Sequence, residues 1–226
     1  LRGGLNFDLR NALHDAYGLN AHASAFMSSQ RYKVDGRWAV HEDMYRKLMI
    51  PQGALLLAAD VVATGVTIAN GLEVLLDHLL RIGSSVRGLV FFTIGCHKLE
   101  KVLTEFDGRL RRAFPGFVGS HAVYLDGKFR LVDSRTSLRL AIPGTDLIRC
   151  DALLTPELEG AQLEVPSAVL ERCVIYDAGS RAFDIPTYVE DVAGYWRGLA
   201  RHAADGLTLS QAMAERWPAP HYRSLE

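Results

Sequence analysis

Apolar positions along the chain follow two alternating periods. Leu5, Leu9 and Leu13, with Ala12 and Ala16, keep helical spacing, so Leu5 to Tyr17 predicts a helix ended by Gly18. Ala21 to Arg31 is strand-like, and Asp35-Gly36 is a hairpin signal whose arms are Gln30 to Val34 and Arg37 to His41. Glu42 to Met49 reads as a helical turn or a linker to Pro51. The continuous apolar run from Gly53 to Ala58 has the pattern of a strand buried on both faces of a parallel sheet. Ile68, Leu72, Leu75, Leu76, Leu79 and Leu80 then mark one face of a helix, which Gly83-Ser84-Ser85 ends. Val86 to Gly95 is a second buried strand. Leu99, Val102, Leu103, Phe106, Leu110 and Phe114 mark the next helix, stopped by Pro115-Gly116.

Strand and helix therefore alternate up to Pro115, which predicts an α/β fold with a doubly wound, mostly parallel sheet. The style then changes. Val118 to Leu125, the turn Asp126-Gly127, and Lys128 to Val132 read as an antiparallel hairpin, and short Pro-punctuated segments fill 134–186. Val189, Val192, Trp196, Leu199 and Ala203 form the stripe of a helix, and Thr208 with Gln211 forms a capping box opening another. The expected organisation is a core over 1–116 and an appended α+β hood and C-terminal helical subdomain over 117–226.

Composition narrows the class of protein. Of 226 residues 49% are hydrophobic and 23% charged, which excludes a disordered chain. Lys and Arg number 25 against 26 Asp and Glu, a net charge of −1 that gives no electrostatic footprint for nucleic acid. No apolar run approaches the ~20 residues of a transmembrane helix, and no signal peptide is visible. Cys96, Cys150 and Cys173 are sparse and widely spaced, which suits reduced core thiols in a cytoplasmic protein rather than a disulfide framework.

The candidate chemistry lies in Leu55-Leu56-Leu57-Ala58-Ala59-Asp60-Val61-Val62-Ala63-Thr64-Gly65-Val66-Thr67. A buried strand ends at Asp60 and a helix starts near Val66, with a turn of small and hydroxylic residues between them. Turn amides and a helix N-terminus together make an anion site, to which the Thr64 and Thr67 hydroxyls add donors. In an open α/β sheet such a turn lies at the carboxyl ends of the strands, where ligands bind. The segment has neither the Gly-Lys-Ser/Thr of a nucleoside-triphosphate loop nor the three glycines of a dinucleotide fingerprint.

It resembles the signature of type I phosphoribosyltransferases: four apolar residues, two acids, two apolar residues, a small residue, then Thr-Gly-x-Thr/Ser. Ala59 stands where the first acid belongs, and Val66 replaces the usual Gly. The resemblance covers about residues 1–110. Leu1-Arg2-Gly3-Gly4 is similar to the family's pyrophosphate loop, which implies a first strand upstream of Leu1. The hairpin from Gln30 to His41 matches the family's flap.

The resemblance implies a site for 5-phosphoribosyl 1-pyrophosphate (PRPP). Pyrophosphate is displaced at the anomeric carbon, with inversion, through an oxocarbenium-like transition state; positioning and charge neutralisation supply the catalysis. Ala63, Thr64, Gly65, Val66 and Thr67 would cradle the 5-phosphate, Asp60 would bind the ribose hydroxyls, and Arg2, Gly3 and Gly4 would hold the pyrophosphate. From the flap, Arg31 and Lys33 would reach the pyrophosphate as catalytic residues, Arg37 could join them, and Tyr32 or Trp38 would cover the site. Mg²⁺ would bridge pyrophosphate and ribose, keeping several waters. A nucleobase-like acceptor, a homodimer and a cytoplasmic location complete the expectation.

The remaining constellations are weaker. His41-Glu42-Asp43 and Cys96-His97 lack a second pair at metal spacing, so no protein metal centre is expected. His97 and Lys98 follow a strand end and either line the ligand cleft or are solvated at a helix start. Tyr176 to Asp184 mixes aromatic, acidic and glycine residues as a base pocket does, or as a surface loop does. Arg109, Arg111 and Arg112 complement a helix C-terminus. The function expected is ribose 5-phosphate transfer between PRPP and a nucleobase or base-like acceptor. The alternative, motivated by Ala59, is a non-catalytic PRPP- or nucleotide-binding regulatory protein.

Overall fold

The structure, a computed structural model, describes residues 9–34, 37–140, 146–165, 170 and 185–218, with the backbone alone over 28–34, 37–45, 187–188 and 191. The chain forms two compact units, one of Leu1–Ile94 with Lys98–Leu125 and one of Gly95–His97 with Asp126–Glu226.

The first unit begins with α1 (Leu9–Tyr17), which ends before Gly18 as its sequence predicts; residues 5–8 of the expected helix lie outside the described residues. None of its residues is fully buried. β1 (Phe26–Val34) and β2 (Arg37–Lys47) pair as an antiparallel hairpin, with Arg31 opposite Val40, Lys33 opposite Trp38 and a bulge between Ser28 and Gln30. Glu42 to Lys47 is strand, not a helical turn: the ladder runs out to Phe26 opposite Lys47, and cross-strand pairing overrides the local pattern.

The hairpin packs against α2 (Val66–Ile82), which follows β3 (Ala54–Val62). β4 (Val86–Cys96) and α3 (Lys98–Ala113) come next, then β5 (Ser120–Leu131). The strand order is β3-β4-β5-β6, in a mostly parallel sheet of α/β type. Ile68, Leu72, Leu75, Leu76 and Leu79 of α2 join Leu99, Leu103, Phe106 and Leu110 of α3 in one core with Val62, Leu89 and Phe91. At about 1.5–3 kcal/mol for each fully buried aliphatic side chain, this core holds both helices on the strands. α2 stops in a Schellman motif: Gly83, at φ 64°, donates to the Leu80 carbonyl and Ser84 donates to that of Leu79.

One expected hairpin is absent. Residues 118–132 do not fold back at Asp126-Gly127; β5 runs straight through the dipeptide. Its beginning is already engaged, since Val118 donates to Arg87 and Leu89 donates to Gly119. In the second unit the rest of β5 pairs antiparallel with β6 (Leu147–Leu154), Gly127 lying opposite Leu154. The turn-forming dipeptide instead makes a kink, with φ of 64° at Asp126 and 145° at Gly127 and a register shift between Lys128 and Arg130.

The second unit continues with α4 (Pro156–Glu164), capped by the Thr155 hydroxyl accepting from Leu158, then α5 (Ile185–Ala204) and α6 (Leu209–Arg216). The Thr208–Gln211 capping box is present in both directions at 3.2 Å. On α5 the buried face centres on Tyr195, whose hydroxyl donates to the Leu170 carbonyl; Trp196 and Val189 of the expected stripe are exposed. Leu170, Leu207, Ala212 and Met213 form the core, and Arg216 clasps Asp146 through both guanidinium nitrogens, the two side chains 4% and 1% exposed. Among the described residues no helix is long and apolar enough to cross a membrane.

Two outcomes follow from these contacts. A Cβ on Gly127 would stand 2.4 Å from the Leu153 carbonyl oxygen, so Gly127→Ala should destabilise the fold by about 1–3 kcal/mol in urea unfolding. Between α2 and α3, Arg109 grips Glu73, with Nη2 to Oε2 at 2.7 Å, and this hydrogen bond holds the Glu73 carboxyl below its ordinary pKa. A lowered folded-state pKa stabilises above the unfolded value and is lost as pH falls through the folded one. Arg109→Gln should therefore raise the Glu73 pKa, read by NMR titration, and remove part of the stability lost on acidification.

Candidate functional site

The strand–turn–helix expected at 55–67 is present within the first unit. β3 carries Asp60 near its carboxyl end, Ala63, Thr64 and Gly65 make the turn, and α2 begins at Val66. Gly65 is the helix N-cap and is left-handed, at φ 80° and ψ −1°. That conformation is open to glycine at no steric cost. Space demands glycine as well, because a Cβ there would lie 3.2 Å from Val102 Cγ2 and 3.7 Å from Lys98 Cβ on α3.

The turn leaves donors open. The first bond at the helix start runs from the Ala69 amide to the Gly65 carbonyl. The Thr64 hydroxyl accepts from the Val66 amide at a long 3.4 Å. The amides of Gly65, Thr67 and Ile68 have no partner among the described residues, as the first turn of a helix requires unless a cap or ligand supplies one. No acid stands in the first turn of α2 to complement its dipole. Thr64 and Thr67 are partly exposed.

Asp60 is 9% exposed, and its Oδ1 accepts from the Val61 amide at 2.8 Å. Ala59 is fully buried. The position of the missing acid is thus closed to solvent. On the neighbouring strand Thr93 is also fully buried, and its Oγ1 has no hydrogen-bond partner among the described residues. Its sequence, inside an unbroken apolar strand, gave no signal of this. Lys98 was visible only as a residue after a strand end. Its contact with Gly65 comes from the packing of α3 against α2.

Magnesium finds little of its own here. Ala59 offers no oxygen from its side chain, Asp60 is one carboxylate already bonded to an amide, and no group of three or more His, Cys, Asp or Glu among the described residues could hold a metal ion. The described residues do not fit a protein-built magnesium site.

The other expected residues divide as follows. Arg31 and Lys33 sit on β1 and Arg37 and Trp38 on β2, in a hairpin that packs against α2, with backbone alone described. Arg2, Gly3, Gly4 and residues 176–184 lie outside the described residues. A cavity of about 390 Å³ opens elsewhere, beside Gln52, Ser84, Arg87 and Phe114 at the amino ends of β3 and β4. Ligands of open α/β sheets bind at the opposite, carboxyl ends, so the turn is the better candidate. No family model, curated protein or solved structure matches the chain.

Gly65→Ala tests the turn itself. The left-handed backbone and the Val102 contact together should lower stability by about 1–3 kcal/mol, measured by urea unfolding.

Proposed function

We propose that the chain is a phosphoribosyltransferase, which moves ribose 5-phosphate between PRPP and a nucleobase-like acceptor with pyrophosphate as the other product. One observation carries the reading: the signature segment folds as a strand, a left-handed glycine turn and a helix start with open amides. Those amides and the Thr64 and Thr67 hydroxyls hold the 5-phosphate. Asp60, its carboxylate fixed by the Val61 amide, accepts from the ribose hydroxyls. The hairpin of β1 and β2, seated on α2, brings Arg31 and Lys33 toward the pyrophosphate and excludes water. Arg2, Gly3 and Gly4 complete the pyrophosphate contacts. Divalent metal arrives with the pyrophosphate rather than on a centre built by the protein.

A second reading, binding without turnover, is favoured by Ala59, which is buried and cannot serve as the second acid. The two readings separate in one assay, pyrophosphate release from PRPP and Mg²⁺ across a panel of bases. The enzyme releases pyrophosphate with at least one acceptor, and Asp60→Asn lowers the rate. The binder shows a PRPP-dependent rise in melting temperature, as a native-state ligand must produce, with no product. Neither a thermal shift nor turnover would reject both.

A further inference from the structure

We infer that Lys98 is a phosphate-binding residue of this site, the cation that neutralises a phosphate monoester held by the 63–67 turn. Lys98 has this role only if the turn binds such an ester, as proposed above. It is the first residue of α3, and its Cβ lies 3.7 Å from the position a Gly65 Cβ would take. The four-carbon stem of a lysine spans the turn from there. Lys98 is partly exposed and makes no ion pair or hydrogen bond among the described residues.

Charge is what makes this position informative. A helix N-terminus carries partial positive charge, and a cation beside it is unfavourable unless an anion is present. Lys98 stands at the N-terminus of its own helix and against the N-cap of α2, whose first turn holds no acid. The other charges in the first turn of α3 are Glu100 and Lys101, both exposed. Arg109, further along α3, is already committed to Glu73. The nearest described carboxylate in the signature, Asp60, is buried and bonded to the Val61 amide. A phosphate dianion over the turn balances the two helix ends and the ammonium together. The amides and hydroxyls of the turn orient it but carry no net charge, so the ammonium is the group that discriminates a dianion from a neutral sugar.

The test is calorimetric titration of the full chain with ribose 5-phosphate, at several salt concentrations, for wild type, Lys98→Met, Lys98→Arg and Gly65→Val. Ribose without phosphate is the control. Loss of one charge-assisted hydrogen bond should weaken ribose 5-phosphate about 10- to 100-fold in Lys98→Met. The salt dependence should flatten, Lys98→Arg should keep most of the affinity, and the unliganded melting temperature should stay unchanged. If Gly65→Val abolishes binding while Lys98→Met binds as tightly as wild type, Lys98 has no such role and the turn remains the site. If wild type does not bind ribose 5-phosphate or PRPP, both the role of Lys98 and the phosphate reading of the turn fall. An equal loss in Lys98→Met and Lys98→Arg, with a lowered melting temperature, marks a structural effect and also overturns the assignment.

Discussion

The first unit depends on how the chain leaves β3. Strand ends at Val62 and helix begins at Val66, so Ala63, Thr64 and Gly65 must set the direction of α2. They do so through one backbone conformation, φ 80° at Gly65, in a place where Val102 of α3 leaves no room for a side chain. That close approach allows α2 and α3 to share one core against β3 and β4. The same conformation leaves the amides of Gly65, Thr67 and Ile68 open at the helix start. Packing and ligand binding therefore draw on a single geometry, and an anion bound at the turn would stabilise the joint that orients the helix.

The second unit solves its packing problem differently. Its described core cluster is small, and a buried ion pair stands beside it. Burial pulls the Arg216 pKa down, yet the hydrogen bonds and charge of Asp146 more than offset this and hold it above its ordinary value. Such a pair adds little net stability compared with an apolar replacement, but losing one partner strands a buried charge at a cost of about 3–5 kcal/mol. Its effect is on uniqueness: Arg216, in the last turn of α6, has one bidentate partner, just before β6. Tyr195 does similar work on α5, where one hydroxyl–carbonyl bond to Leu170 selects the buried face.

Legibility in the sequence tracked the range of the forces involved. Signals that act within a few residues were readable: the Gly18 and Gly83 stops, the hairpin around 35–36, the Thr208–Gln211 box, and the strand–turn–helix at 55–67. Signals that a distant partner overrides were not. Asp126-Gly127 has the chemistry of a turn, but β4 and β6 already occupied the bonding edges of β5, so the dipeptide became a kink. Glu42 to Lys47 lost its helical turn to β1 in the same way. At the candidate site, residue types and their order were legible, whereas burial was not. Nothing local to Ala59 or Thr93 marks them as fully buried, and nothing local to Lys98 places it against Gly65.

These burials bear on the one departure from the signature. A second acid at position 59 would put a carboxylate in a solvent-free place beside Asp60, where two like charges raise each other's pKa unless a cation intervenes. With Ala59 that repulsion is gone, and Asp60 needs only the amide of Val61 to keep its orientation. The balance of the described site therefore tilts positive: two helix N-termini and Lys98 against a single buried carboxylate. A pocket of that sign holds a phosphate ester through the protein's own donors, without a metal-bridged acid pair. The loss of the first acid and the placement of Lys98 are then two parts of one electrostatic arrangement, in which phosphate recognition is kept by cations and amides rather than shared with a metal.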